Sequence, residues 1–519
     1  MKPFKTLAAL AASSLLLAGC TLDSSVLIPE GSSESTAPTT GAGTSIDAQM
    51  PAIPDGLESY YTQDVDWDTC NGSFQCAEIT VPLDYANPDG DTIQVAMLKR
   101  PAKSEAIGTL FINPGGPGGS GIDMAMSASY YFDQDILDNF DVVGFDPRGV
   151  GESTAIDCLD DATLGSVLDS SFDTNDPDWQ AEYTEVQRTI ADGCAENSGE
   201  LIKFVGTKEA AQDLDVMRQL VGDPKLYYVG YSYGTALGGQ YADLFPENVG
   251  RVILDGAVDT TLGTAQMSYD QTLGFETALR HYMEDCLQSS SCPFTGSVDD
   301  GLQQIHDALT TAMTTPYPTS DPDRPLTQSL LFSGLIVPLY DDSTWSMLTT
   351  ALSELFEGND GSQLLYFADL SSDRNDDGTF ASNINEANWA INCADYPAAS
   401  ESDLEAVSEK LNTEAPVFGS LMTEGTDLCA SWHFSPTDVP GAFEASGSDP
   451  IVVVGTLYDP ATPYAWAEAV AQALENSVLV TWEGEGHTAY GRAGSCINDP
   501  LDQYLLQGTV PEDGLTCSS

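Results

Sequence analysis

Leu226-Tyr-Tyr-Val-Gly-Tyr-Ser-Tyr-Gly-Thr-Ala-Leu-Gly-Gly-Gln240 decides the reading of this 519-residue chain. Residues 226–229 form a short apolar run that reads as a buried strand. Gly230-Tyr-Ser-Tyr-Gly234 reads as a sharp turn, and the small residues after it as a helix. In such a turn the flanking positions must be glycine, because any side chain there would clash. The serine at the apex is forced into strained backbone, which lifts its Oγ above the carboxyl edge of the sheet. The first amides of the following helix point at the same spot. A bare G-x-S-x-G also arises by chance as an ordinary strand-to-helix turn in a chain with 46 glycines. The strand before it, the helix after it and the partners found below select Ser232 as a nucleophile.

Upstream, residues 92–98 and 108–112 are strand-like, and the second run ends in Asn113-Pro-Gly-Gly-Pro-Gly-Gly-Ser-Gly121. Gly116, Gly118 and Gly121 satisfy G-x-G-x-x-G after a strand, so a dinucleotide fingerprint must be weighed. Pro117 inside the turn and the exported setting argued below count against it. The other reading is an oxyanion loop, whose glycines let backbone N–H groups approach a developing negative charge. Residues 142–145 form another buried strand, followed by Asp146-Pro-Arg-Gly149, where Arg148 reads as a brace for the loop. A helix over 208–221 presents Leu214, Met217, Leu220 and Val221 on one face and leads into the serine strand. After the serine helix, Arg251-Val-Ile-Leu-Asp-Gly256 is one more strand. Alternating strands and helices predict an α/β fold with a mostly parallel sheet covered on both faces.

Over 257–447 strand-like runs become scarce and apolar residues recur at helical spacing, as in 330–340 and 345–356. This stretch is read as a helical cap, inserted between core segments 55–256 and 448–519. Within it Asp373-Arg-Asn-Asp-Asp-Gly378 begins like a calcium loop, but its twelfth position is Ile384 rather than glutamate, so a polar turn is expected. The sheet pattern resumes at 452–454, with Asp459 in the loop beyond, and a last strand over 477–482 leads to Gly484-Glu-Gly-His-Thr488. A serine hydroxyl needs a base oriented by a carboxylate. Of four histidines, His281 and His306 fall in helical cap segments and His433 near a cap cysteine; His487 alone follows a core strand in a glycine-flanked loop. Asp459 precedes it, giving the order Ser232, Asp459, His487; Asp255, after the preceding strand, is the rival acid.

With 17 basic against 80 acidic residues the net charge is −63, which argues against nucleic acid or an anionic membrane surface as a partner. It suits a solvated, colloidally stable exported surface. Lys2 and Lys5 precede an apolar run over 7–17 and then Leu17-Ala-Gly-Cys20, the pattern of a signal peptide over 1–20. Residues 21–54, rich in Ser, Thr, Gly, Pro and Ala, read as a flexible tether. Leu-Ala-Gly-Cys resembles the bacterial lipobox, which makes Cys20 a lipidation site and the membrane a partner only through that lipid. Setting Cys20 aside leaves ten of 11 cysteines in sequential near pairs: Cys70–Cys76, Cys158–Cys194, Cys286–Cys292, Cys393–Cys429 and Cys496–Cys517. Spacing does not prove connectivity, but five local disulfides are the simplest reading in an oxidising compartment. No C-x-x-C occurs and histidine is scarce, so no metal site is expected.

Taken together, Val81-Pro-Leu-Asp-Tyr85, the glycine loop 113–121, Gly144-Phe-Asp-Pro-Arg-Gly149, Gly230-Tyr-Ser-Tyr-Gly-Thr235, Asp459-Pro-Ala-Thr-Pro463 and Gly486-His487 resemble one family. It is that of the secreted tripeptidyl aminopeptidases, close to the proline iminopeptidases, among the α/β-hydrolase serine peptidases. The resemblance runs from about Trp67 to Cys517, and in the cap it rests mainly on Asn392-Cys-Ala-Asp395. It implies an α/β-hydrolase fold with a helical cap, no cofactor, and a peptidase acting on free amino termini, and a monomer is expected. Ser232 would attack, His487 shuttle the proton and Asp459 orient the ring. The Tyr233 N–H and one from the glycine loop, taken as Gly116, would hold the oxyanion, and Asp395 would bind the substrate ammonium. A carboxylesterase or lipase on the same fold is the nearest alternative. A peptide-binding lipoprotein is the alternative of another class, and it leaves the serine elbow without a purpose.

Overall fold

The computed structural model describes residues 50–422, 427–436 and 438–518. The segment read as a signal peptide, Cys20 and most of the segment read as a tether lie outside the described residues. Ten strands form one sheet: β1 (Asp68–Cys70), β2 (Phe74–Pro82), β3 (Thr92–Arg100), β4 (Thr109–Asn113), β5 (Asp141–Phe145), β6 (Leu226–Tyr231), β7 (Val249–Asp255), β8 (Ile451–Tyr458), β9 (Ser477–Glu485) and β10 (Leu515–Ser518). Their spatial order is β1-β2-β3-β5-β4-β6-β7-β8-β9-β10. Pairing from β5 through β10 is parallel, whereas β1, β2 and β3 join antiparallel. Every residue of β4 is buried, as a central strand covered on both faces requires. This is the α/β-hydrolase architecture the motifs imply. The sequence reading anticipated the central strands but neither the pairing of β1 nor the four-residue β10, whose lengths are too short for a periodic signal.

Chain order reverses around β4, since β5 lies on one side of it and β6 on the other. In an open parallel sheet that switch point opens a crevice beyond the carboxyl ends of the strands. Register places the crevice residues: Asn113 pairs with Gly230, Tyr231 with Asp255, and Tyr458 with Glu485. The glycine loop therefore emerges beside the serine turn, and the loops carrying Asp459 and His487 emerge beside each other.

A separate apolar core belongs to the cap, built from Phe275, Leu279, Tyr282, Leu335, Leu352 and Phe367 among others. From Ile384 onward the chain returns to the sheet: Ala387, Ala390, Ile391 and Phe443 pack with the sheet's own core. Asp373-Arg-Asn-Asp-Asp-Gly378 is a polar turn, with Asp377 accepting from Thr379 and Asp373 from Ser382. Five disulfides join Cys70–Cys76, Cys158–Cys194, Cys286–Cys292, Cys393–Cys429 and Cys496–Cys517, the sequential pairing.

Arg148 braces the loop after β5, as its sequence context suggests. It is fully buried and meets both oxygens of Asp213 at 2.6 and 2.7 Å, while also donating to the carbonyls of Pro82, Leu83 and Phe204. Tyr85 adds a hydroxyl to Asp213 at 2.7 Å. Removing one partner of such a pair strands the other charge in the interior. Arg148→Met is expected to lower the unfolding free energy by about 3–5 kcal/mol, read from a denaturant titration.

Candidate active site

Ser232 sits between β6 and the helix Tyr233–Leu244 with φ 55° and ψ −127°. A residue with a Cβ holds that conformation only when its surroundings impose it. The two flanking glycines are obligatory here. A Cβ on Gly230 would lie 2.2 Å from the Gly234 carbonyl oxygen, and one on Gly234 would lie 2.8 Å from that of Asn113. The serine N–H is tied to the Asp255 carbonyl at 2.9 Å, and its own carbonyl accepts from Thr235 Oγ1 at 2.6 Å. Its Oγ makes no hydrogen bond among the described residues. Contacts of this kind commonly close only around substrate.

His487 and Asp459 are brought together by the β8–β9 register. The ring Nδ1 lies 2.9 Å from both carboxylate oxygens. The carboxylate is itself fixed by the N–H groups of Ala461, Thr462 and Thr488 and by the Thr462 hydroxyl. The Asp459 side chain is 0% exposed and that of His487 13%, so the imidazole keeps one open side. Asp255, the rival acid, does not reach the ring. It accepts the backbone N–H groups of Ala489 and Tyr490 instead. Ser232 and His487 converge on the end of β7: a Cβ on Gly256 would lie 3.2 Å from His487 Cε1, and the preceding carbonyl holds the serine N–H. The other histidines lie elsewhere, His281 on Glu485 and His433 on Asp192.

Two backbone amides at and beside the serine turn have no acceptor among the described residues. Tyr233 is the first residue of its helix, so its N–H has no acceptor within that helix. In the glycine loop, the Gly115 N–H is taken by Asn113 Oδ1, Pro117 has none, and that of Gly119 goes to Gly115. The Gly116 N–H has no acceptor among the described residues. The loop is pressed onto the serine turn, with the Cβ position of Gly115 only 3.0 Å from Tyr233 N. Asn388 of the returning helix Ile384–Asp395 holds the loop from above through the Pro117 carbonyl at 3.0 Å. Both amides and the helix dipole make a place for negative charge.

The C-terminal 415–517 of the chain matches the family model described as TAP-like protein. The serine protease Hip1 of Mycobacterium tuberculosis is 36% identical over 477 residues, covering 88% of this chain and 91% of that one. Tripeptidyl aminopeptidase of Streptomyces lividans is 31% identical over 478 residues, covering 88% and 86%. The chain belongs to the tripeptidyl aminopeptidase family of α/β-hydrolases. It is a serine hydrolase. Carboxylesterase B of Mycobacterium tuberculosis is also similar, 34% identical over 451 residues and 86% of each chain.

In this family member the cap reaches the His487 loop directly. The Tyr340 carbonyl accepts the His487 N–H at 2.8 Å, and the Tyr340 ring stands edge-on to the imidazole with centroids 5.5 Å apart. Arg492 spans the same junction, donating to the carbonyls of His487 and Thr488 and to Asp341 of the cap segment. Neither contact could be foreseen, since no local pattern announces which cap turn will meet the histidine loop. Thr462 was legible only as part of the Asp-Pro-Ala-Thr-Pro string.

Asp395 is buried at the start of the helix Thr207–Val221. It accepts from the Thr207 N–H at 2.8 Å and hydroxyl at 2.6 Å. The same hydroxyl meets the Tyr233 phenol at 2.6 Å, so this carboxylate and the serine's neighbour share one threonine. It also lines a cavity of about 410 Å³ with Gly206, Glu209 and Gln240. Burial pushes its carboxyl up to about 7. A carboxyl raised in this way adds stability below its unfolded value near 4, and loses it as the pH climbs through about 7. Asp395→Asn is expected to flatten the fall in stability between pH 4 and 7, read from urea midpoints across that range.

Proposed function

We propose that the enzyme is an exported, lipid-anchored serine exopeptidase that releases short peptides from free amino termini. Ser232, His487 and Asp459 form its catalytic triad. The observation that carries the reading is the strained Ser232 backbone at a glycine-flanked turn, set at the same end of β7 that His487, bonded to Asp459 at 2.9 Å, approaches. Ser232 Oγ attacks the scissile carbonyl as His487 Nε2 takes its proton. The oxyanion forms against the N–H groups of Tyr233 and Gly116. Collapse expels the amine, which receives the proton from His487, and leaves an ester on Ser232. Water, deprotonated by His487, then cleaves the ester and frees the peptide acid.

Restriction to chain ends rests on the cap segment over His487 and on the cavity beside Asp395, whose carboxylate would take the substrate ammonium. Five disulfides support an oxidising compartment. The basic, apolar, Leu17-Ala-Gly-Cys20 start supports the lipid anchor. Incorporation of an alkyne fatty acid that disappears in Cys20→Ala tests that part.

The activity test compares tripeptidyl anilides with free or acetylated amino ends against short-chain nitrophenyl esters. Free-amine anilides are expected to have the highest kcat/KM, with acetylation costing about 10–100-fold, the worth of one charged hydrogen bond. Asp395→Asn should raise KM for the free-amine substrates and leave the acetylated ones unchanged. Equal rates on free and acetylated peptides would refute the exopeptidase reading. Cleavage of the esters alone would favour a carboxylesterase, the second reading, to which the carboxylesterase B similarity gives weight.

A further inference from the structure

Asp255 is the last residue of β7, between the strand that delivers Ser232 and the strand that delivers Asp459. Its side chain is fully buried. Both carboxylate oxygens accept from the Ala489 N–H, at 3.1 and 3.0 Å, and one of them from the Tyr490 N–H at 2.7 Å. Those amides lie two and three residues beyond His487. On the other side, the Asp255 carbonyl accepts the Ser232 N–H at 2.9 Å. One residue thus touches both the nucleophile's turn and the base's loop.

The titratable groups near this carboxylate are His487 and Asp459, with the Tyr231 phenol of β6 also near. No ion pair among the described residues gives it a lysine or arginine. Burying a carboxylate without a cation is unfavourable, so stability by itself gives no reason for an acid here.

We propose that Asp255 is a positioning residue that sets the register between Ser232 and His487: its carboxylate holds the histidine loop while its carbonyl holds the serine turn. The inference rests on the catalytic reading of Ser232 and His487. It extends that reading by giving the rival acid of the sequence a different task from orienting the imidazole. Burial pushes the Asp255 carboxyl up to about 6, against the pull of the two amides. Protonation turns one of its oxygens into a donor and weakens its grip on the loop. The fold-stabilising contribution of the proton is present below about 4 and lost as the pH rises through about 6. At pH 7.5 the charged carboxylate is therefore held at a cost to stability.

The test measures phosphonylation of Ser232 by a fluorophosphonate, which needs the serine turn and the base but no peptide substrate, together with kcat and KM on the anilides. Asp255→Ala is expected to slow phosphonylation and lower kcat by about 30–100-fold, the scale of a misplacement near 1 Å, with KM within about threefold. Asp255→Asn keeps one acceptor oxygen and should restore most of the rate, with a melting temperature at pH 7.5 equal to or above that of the wild type. In the wild-type protein, hydrogen exchange at the Ala489 and Tyr490 amides, corrected for its intrinsic pH dependence, should accelerate as the pH falls through about 6. Wild-type phosphonylation in Asp255→Ala would overturn the inference and leave the catalytic reading intact. Failure of the wild type itself to be labelled would overturn both. If the alanine variant does not fold, exchange at those two amides that ignores pH between 5 and 7 is the overturning result.

Discussion

Ser232→Ala is expected to lower kcat by about 10⁵–10⁶-fold and to abolish fluorophosphonate labelling, with KM nearly unchanged. In the proposed mechanism the hydroxyl becomes the acyl-enzyme, so no neighbour can replace it. What remains is the oxyanion site and substrate positioning, which persist without it. Folding should be untouched, because alanine keeps the Cβ that packs against the glycine loop. Ser232→Gly makes an informative contrast. At φ 55° and ψ −127° a residue with a Cβ stores on the order of 1–3 kcal/mol, which glycine releases, while glycine loses about 1 kcal/mol more through unfolded-state entropy. Both variants are inactive, and the glycine variant should equal or exceed the alanine variant in denaturant midpoint. A clearly less stable glycine variant would mean that the turn is not strained.

Asp459→Asn is expected to lower kcat by about 10⁴-fold while the histidine loop stays folded. The asparagine oxygen can still take the N–H groups of Ala461 and Thr462, which now converge on Asp459 Oδ1. Its amide, however, presents a donor to His487 Nδ1, where the carboxylate presents two acceptors at 2.9 Å. The ring must then carry its proton on Nε2, the nitrogen that has to accept from Ser232. The imidazolium formed during attack also loses its buried counter-charge. His487→Ala should match the Ser232→Ala loss, and the double variant should add nothing to it, because the residues act as one unit. Additive losses on the anilide substrates would separate the serine from the histidine.

Ser232 and His487 were legible as candidates, and Asp459 as the preferred of two acids, because each follows a run of buried strand. Residues 226–229, 452–454 and 477–482 carry enough apolar character to read as strands without any contact information, and the structure extends them to 226–231, 451–458 and 477–485. Glycines at 230 and 234 identified the serine turn for a local reason, a clash that any Cβ would create. Spacing left the connectivity of ten cysteines open, and the structure bonds each to its near neighbour, the simplest reading.

The choice between Asp255 and Asp459 had no local answer. Both follow apolar strands, and both precede His487. Only the Tyr458–Glu485 register, a relation between residues distant in sequence, carries Asp459 to the ring and leaves Asp255 beneath the loop. The return of Ile384–Asp395 to the sheet was hidden for the same reason: helical periodicity announces an apolar face but not its partner.

By itself, then, the sequence determined where chain direction changes, which serine is strained, and which histidine ends a core strand. Those features follow from sterics and apolar runs within a few residues. Tertiary structure decided which carboxylate meets His487, which amides remain open beside Ser232, and which turn of the cap covers the base. Each of these depends on strand register and interlayer packing, where free energy is gained only between segments that the chain brings together on folding.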